Sequence, residues 1–206
     1  MTDPTSLVTI SDEQAKLGQK ALEVLQGLGG FLREIFGTVP EDLVGYFGGD
    51  LLKVRRAENF ARIAQEAHER LKARGIHTPE PPSISILLPI IVASAEESRD
   101  ELVDIWARLL AAAADPARSK SFRLAFIETA KKMDPLDAAV LRYANERGGG
   151  ITGQIRNDAA AALHASRDEI DVSISNLAKL ELMEEGSSIT AAVLPLGREF
   201  LRTVSD

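Results

Sequence analysis

The chain has no cysteine, which excludes disulfides, thiolate metal ligation and a cysteine nucleophile together. It has three histidines; His68, His77 and His164 lie far apart and show no HExxH or comparable ligand spacing. Neither a GxxxxGK[ST] phosphate loop nor a GxSxG nucleophile elbow occurs, so no catalytic residue, metal site or cofactor is expected, and a non-enzymatic role follows. Aromatic residues make up only 5%, and the apolar positions recur at helical steps rather than alternating, which predicts a mainly α fold. No apolar run reaches the roughly 20 residues that a bilayer span requires. The opening MTDPTSLVTISDEQ carries acids where a secretory leader needs bases, so a cytoplasmic location is expected.

What is present is enough for a real core: 45% of the 206 residues are hydrophobic. The net charge of −7 is unevenly spread, and the one basic stretch is LLKVRRAENFARIAQEAHERLKAR, with 7 basic and 3 acidic side chains. The final 74 residues carry 7 basic and 12 acidic groups and should repel polyanions.

A first helix is expected from Ser11-Asp12, with Leu17, Ala21, Leu25, Leu28, Leu32 and Ile35 at steps of three or four. Seven glycines between Gly27 and Gly49 break this seam into short helices and turns, a segment expected to be mobile. A long amphipathic helix over about 50–74 follows, with Leu52, Arg56, Phe60, Ile63, Ala67 and Leu71 on one stripe and Gly75 as its stop. SISILLPIIVASA reads as a buried helix kinked at Pro89, in preference to a buried strand. In SRDELVDIWARLLAAAADP, Ser98 and Glu101 read as a capping box, and Leu102, Ile105, Trp106, Leu109, Leu110 and Ala113 form one buried face. SFRLAFIETAKKM adds another helix. From Asp134 the order changes to three helices, two short strands around Glu185-Gly186-Ser187-Ser188, and a closing helix. The third of these helices is capped by Ser166 and Glu169 and turns Ile170, Ile174 and Leu177 inward. The chain therefore divides into a helical domain, 1–133, and a small winged helix-turn-helix-like domain with a β-hairpin, 134–206.

The candidate interaction residues are Arg55, Arg56, Asn59 and Arg62 on the basic helix. Glu58, Glu66 and Glu69 are interleaved with its bases, so a solvated, salt-bridged face is the simpler reading. A winged-helix tail invites a DNA-binding reading, for which Arg167, Asn176 and Lys179 are the candidate contacts. Asp168 and Asp171 on the same helix argue for protein contact instead. The apolar face Leu25, Leu28, Phe31, Leu32, Ile35 and Phe36 fits core packing, self-association or, third, a membrane surface. The acids Glu97, Asp100, Glu101 and Asp104 suit a solvent-facing first helical turn as well as they suit a cation.

The segments GGDLLKVRRAEN (Gly49, Asp50, Arg55, Arg56, Asn59), LKARGI, ILLPIIVASAEES, ELVDIWARLLAAAADP and FIETAKKMDPLDAAVL together resemble the Abi-alpha (abortive infection alpha) family of bacterial proteins over about residues 48–141. ITAAVLPLGREFL is similar to that family's terminal wing. The resemblance implies a role in phage defence and supplies no settled active site. The expectation is a cytoplasmic protein acting through a protein partner or a second copy of itself. The alternatives are a DNA-binding regulator, or an effector that sits peripherally at the membrane.

Overall fold

The computed structural model describes residues 12–26, 28–36, 45–47, 52–186 and 190–205. Among these the chain forms ten α-helices and one three-stranded antiparallel sheet, so the fold is mainly α. The helices are α1 (Asp12–Gln26), α2 (Gly29–Phe36), α3 (Lys53–Ala73), α4 (Ile84–Ala95), α5 (Asp100–Ala114), α6 (Leu124–Lys132), α7 (Pro135–Glu146), α8 (Gly153–Ala162), α9 (Arg167–Lys179) and α10 (Pro195–Thr203). The strands are β1 (Gly150–Ile151), β2 (Met183–Glu185) and β3 (Ala191–Val193). The glycine-rich window is described only in α2 and in a 3-10 turn at Gly45–Phe47; Gly27, residues 37–44, Gly48 and Gly49 lie outside the described residues.

Helix α3 is the spine of the first half. Val54, Ala57, Phe60, Ile63, Ala64, Ala67 and Leu71 are buried along it, a spacing that wraps one stripe of a 3.6-residue helix. That stripe packs on α1, α4 and α5. Leu52, expected on this stripe, is instead 56% exposed, because it precedes the first helical residue and its side chain is not carried round to the buried side. Gly75 ends the helix with a φ of +73°, a left-handed turn that a side chain resists.

Helix α4 is continuous through Pro89, so the helical reading of SISILLPIIVASA holds. All six positions expected on the Trp106 face of α5 are buried. Ala111, Ala112, Ala113 and Ala114 are buried too, and the small side chains let the preceding loop approach: the Glu80 N–H donates to the Ala114 carbonyl at 2.8 Å. Asp115 follows as the C-cap.

The start of α5 differs from expectation. The helix begins at Asp100 with Arg99 as N-cap, and no side chain caps it from that position. The carboxylate of Glu97 takes the N–H groups of Ser98 and Arg99, at 3.0 and 2.9 Å, in place of a Ser98–Glu101 box. An ionised acceptor that also binds the Arg99 guanidinium outcompetes a neutral serine hydroxyl.

The second half runs α7, β1, α8, α9, β2, β3, α10, with sheet order β1-β3-β2. Gly150 faces Ala192, and Met183, Glu184 and Glu185 face Val193, Ala192 and Ala191. The hairpin strands and the Ser166–Glu169 capping box are as expected. Strand β1 is an addition, hidden in a glycine run whose composition disfavours strands. Two glycines with φ of +86° and +84°, Gly148 and Gly149, turn the chain from α7 into it. Gly197 lets α10 rest on the sheet: a Cβ there would lie 2.4 Å from the Leu182 carbonyl oxygen. The rings of Phe122, Phe126 and Phe200 form an edge-to-face series, with centroids 5.8 and 6.1 Å apart, that ties α6 to α10. Buried side chains from Ala21 to Val204 form one continuous cluster.

Candidate interaction surfaces

Three arginines of α3 and its C-cap Arg74 face the acids at and around α5. Arg56 pairs with Glu96 at 3.7 Å, Arg62 with Asp100 at 2.5 Å, Arg70 with Asp104, and Arg74 with Asp115 at 2.8 Å. The partners ascend together, so α3 and α5 run in the same direction along a charged seam above their shared apolar face. Hydrogen bonding to Asp100 holds the Arg62 guanidinium above its ordinary range. Asp104 also accepts from Arg108 at 2.9 Å. Asp115, 1% exposed, accepts the Ala117 N–H at 2.8 Å. Thus Asp100 and Asp104 answer arginines from another helix, and no group of three or more histidines, aspartates or glutamates suited to a metal occurs among the described residues.

Of the four candidates on α3, three are engaged with the rest of the protein. Arg56 also donates to the Phe47 carbonyl at 3.1 Å, and Asn59 to the Ala95 carbonyl at 3.0 Å. Both fasten the ends of neighbouring elements, while Arg62 joins the seam. Arg55 is exposed.

A network that sequence reasoning did not find begins at Glu97. This residue is 8% exposed. Burial alone would raise its carboxyl, but hydrogen bonds from the Arg99 guanidinium and from the Arg99 and Ser98 N–H groups more than reverse this and hold it below the usual carboxylate range. Arg99 contributes Nε to Oε1 and Nη2 to Oε2, both at 2.9 Å, and its Nη1 reaches Asp134 at 2.9 Å. Asp134 and Asp137 form the capping box of α7. Asn176 of α9 donates to Asp137 at 2.6 Å and to the Lys132 carbonyl at 3.3 Å. The chain of bonds therefore runs from the end of α4 to the middle of α9. Its one sequence signal was the D-P-x-D opening of α7.

Helix α9 holds the three DNA-contact candidates. Arg167 donates to Asn157 at 2.6 Å and to Asp171 at 3.3 Å, and Asn176 is bound to Asp137 as above; Lys179 is exposed. Asp171 also receives Arg156, which is 9% exposed, at 2.5 Å. Between α7 and α9 lies a groove of about 770 Å³ whose walls include Asp134, Leu136, Asp168, Glu169, Val172 and Lys179. Val172 is 69% exposed. The hydrogen bonds of the α9 cap, from the Ser166 N–H and hydroxyl, hold Glu169 below the usual carboxylate range.

Of the readings open for the apolar face, core packing is the one observed, and the face is turned inward rather than toward a second copy or a membrane. Leu25, Phe31, Leu32 and Ile35 are buried, and Leu28 packs against the core; the side chain of Phe36 lies outside the described residues. Phe31 sits 4.5 Å from the His68 ring, and burial, then Lys72, push that imidazole down. The seam finds its partner in α3, within the same chain. No helix among the described residues is long and apolar enough to cross a membrane.

The family described as Abortive infection alpha matches residues 55–193. This is about two thirds of the chain and runs from the basic helix through the β-hairpin. The chain belongs to this family. Gly49 and Asp50, among the residues that carried the resemblance, fall outside the matched range. No curated protein and no solved structure matches the chain.

Proposed function

We propose that this abortive-infection alpha protein takes part in phage defence without catalysis of its own, by binding a protein partner, and that residues 134–206 form a winged-helix-like module turned to that purpose. The observation that carries this reading is the outward face of α9. The position that reads bases in a DNA-binding winged helix here presents Asp168, Glu169 and an exposed Val172 along a groove. Such a face repels phosphates and offers an apolar anchor inside a polar rim, the anatomy of a protein contact. Two of the three candidate base contacts, Arg167 and Asn176, are bound within the chain, which also favours protein over DNA.

The test is a plaque assay on cells carrying the protein with Val172→Arg. The side chain is exposed, so the variant should melt with the parent, yet lose protection against phage. Full protection by a correctly folded variant would refute the groove as the working surface. Salt-dependent binding of the parent to duplex DNA, lost in Lys179→Glu, would replace this reading with DNA regulation.

A further inference from the structure

Along the outward side of α9, Asp168, Val172, Ser175 and Lys179 all line the groove. Their steps of four, three and four keep them on one face of a helix, and the stripe they form is about 16 Å long. Asp168 and Lys179 stand exposed at its two ends, and neither enters an ion pair among the described residues. Val172 and Ser175 occupy the middle, a branched apolar side chain beside a small one. The Ser175 hydroxyl donates to Glu185 of the hairpin at 3.1 Å, and Glu185 is not among the walls of the groove.

The remaining acids of the groove are answered within the chain, Glu169 excepted. Asp171 holds Arg156 at 2.5 Å and Arg167 at 3.3 Å, and Asp134 holds Arg99 at 2.9 Å. Asp137 is buried and takes the Asn176 amide at 2.6 Å. Asn176, one turn before Lys179, also donates to the Lys132 carbonyl, which brings a second lysine to the same end. Two acids, Asp168 and the capping Glu169, therefore mark one end of the groove, and two lysines mark the other. The face has a direction and little net charge.

We propose that the occupant of the groove is a second copy of this chain, an identification that rests on the groove being the working surface. The two α9 helices lie antiparallel about a two-fold axis that passes between Val172 and Ser175. Across such an axis every contact occurs twice. Asp168 and Lys179 are equidistant from it, and so are Val172 and Ser175. Each Asp168 then meets the partner's Lys179, and each Val172 seats against the partner's Ser175, large side chain into small. The antiparallel arrangement also sets the positive end of one helix dipole beside the negative end of the other. A parallel approach would place Asp168 on Asp168 and Lys179 on Lys179, so the charges admit one direction only. An unrelated helix would have to reproduce this order, whereas the chain already carries its own complement. A contact built on one helix of three turns is small, which sets the dimer in about the micromolar range.

The experiment is sedimentation equilibrium of the full chain. The parent should show a reversible monomer–dimer equilibrium that weakens as salt is raised. Asp168→Lys and Lys179→Glu each set like charges against one another at both ends of the contact, and each should weaken the dimer about tenfold or more. In an equimolar mixture of the two variants every introduced charge meets its opposite, and a heterodimer about as tight as the parent should form. Neither position belongs to the Ser166–Glu169 capping box, and circular dichroism spectra that match the parent check the fold. A parent that stays monomeric to about 0.1 mM, a dimer unmoved by the reversals, or a mixture as weak as either variant overturns the second copy as occupant. Loss of phage protection in Val172→Arg from a monomeric parent overturns this occupant and leaves the groove as a working surface for another protein. A dimer that obeys the mixing test, yet is dispersed by Val172→Arg with full protection retained, supports the self-contact and refutes its part in defence.

Discussion

Replacing Glu97 by glutamine preserves the volume of a buried side chain and changes only its charge and one donor. In the parent, Oε1 accepts three N–H groups, at 3.0, 2.9 and 2.9 Å, and Oε2 accepts Arg99 Nη2 at 2.9 Å. A glutamine can keep the first three as weaker, uncharged bonds. Its amide nitrogen then faces Nη2, donor against donor, and one bond is lost outright. Bonds to charged groups contribute about 1.5–3 kcal/mol each, and Arg99 is half exposed, so water recovers part of the loss. The expected net cost is about 2 kcal/mol, near the lower end of that range. In a chain of this size that lowers the melting temperature by about 4–8 °C. The pH dependence has a definite sign. Because folding holds the Glu97 carboxyl below its usual range, its stabilisation is complete above the unfolded value, about 4.3, and is lost as pH falls through the lower folded value. The gap between parent and E97Q should therefore be full at pH 7 and shrink below about pH 4. Differential scanning calorimetry across that range measures it. A variant that melts within a degree of the parent at neutral pH, or a gap that widens in acid, refutes the assignment of Glu97 as a buried anionic cap.

Two further outcomes test other parts of the fold. Gly197→Ala places a methyl group 2.4 Å from the Leu182 carbonyl oxygen, and the shift of α10 that relieves it should cost about 1–3 kcal/mol, read by urea denaturation; an unchanged midpoint would show that the helix does not rest on the sheet there. His68 should titrate below its ordinary value of 6.5, followed by proton NMR, because burial and then Lys72 disfavour its charged form while Glu34 and Glu69 oppose them only in part. Its stabilisation is present above that value and lost as pH falls through the lower folded one, and a midpoint at or above 6.5 would remove Phe31–His68 packing from the core.

The features legible in the sequence are the ones whose causes lie within one turn of helix. Ser166 and Glu169 are three residues apart and cap α9 as read, and the Trp106 stripe needs only the helical period. The features that were missed join residues remote in sequence. Arg62 and Asp100 stand 38 positions apart, and nothing local to either distinguishes a cross-helix pair from a solvated surface. Ser98 lost its capping role to Glu97 because the Glu97 carboxylate, held ionised by the Arg99 guanidinium and two N–H groups, is a stronger acceptor than a serine hydroxyl. Strand β1 escaped because it is only two residues long and its one strand-favouring side chain, Ile151, follows a run of glycines. The apolar face of the glycine-rich start is core, the first of its readings, but which helix covers it could not be read, since a single amphipathic helix does not announce its partner, here α3.

The ascending pairs between α3 and α5 constrain how relatives of this protein can drift. Loss of Arg74 alone would leave Asp115, 1% exposed, with only the more distant Arg118 at 3.9 Å, and a buried charge stripped of its nearer partner costs more than the pair contributes. Positions 74 and 115, and the half-buried 70 and 104, should therefore be inherited as couples, exchanged together or retained together, whereas Arg62 and Asp100, with Asp100 82% exposed, can part at little cost. Among the described residues the exposed Arg55 makes no such bond to a partner helix, and lineages should differ there freely unless a second molecule holds it in place.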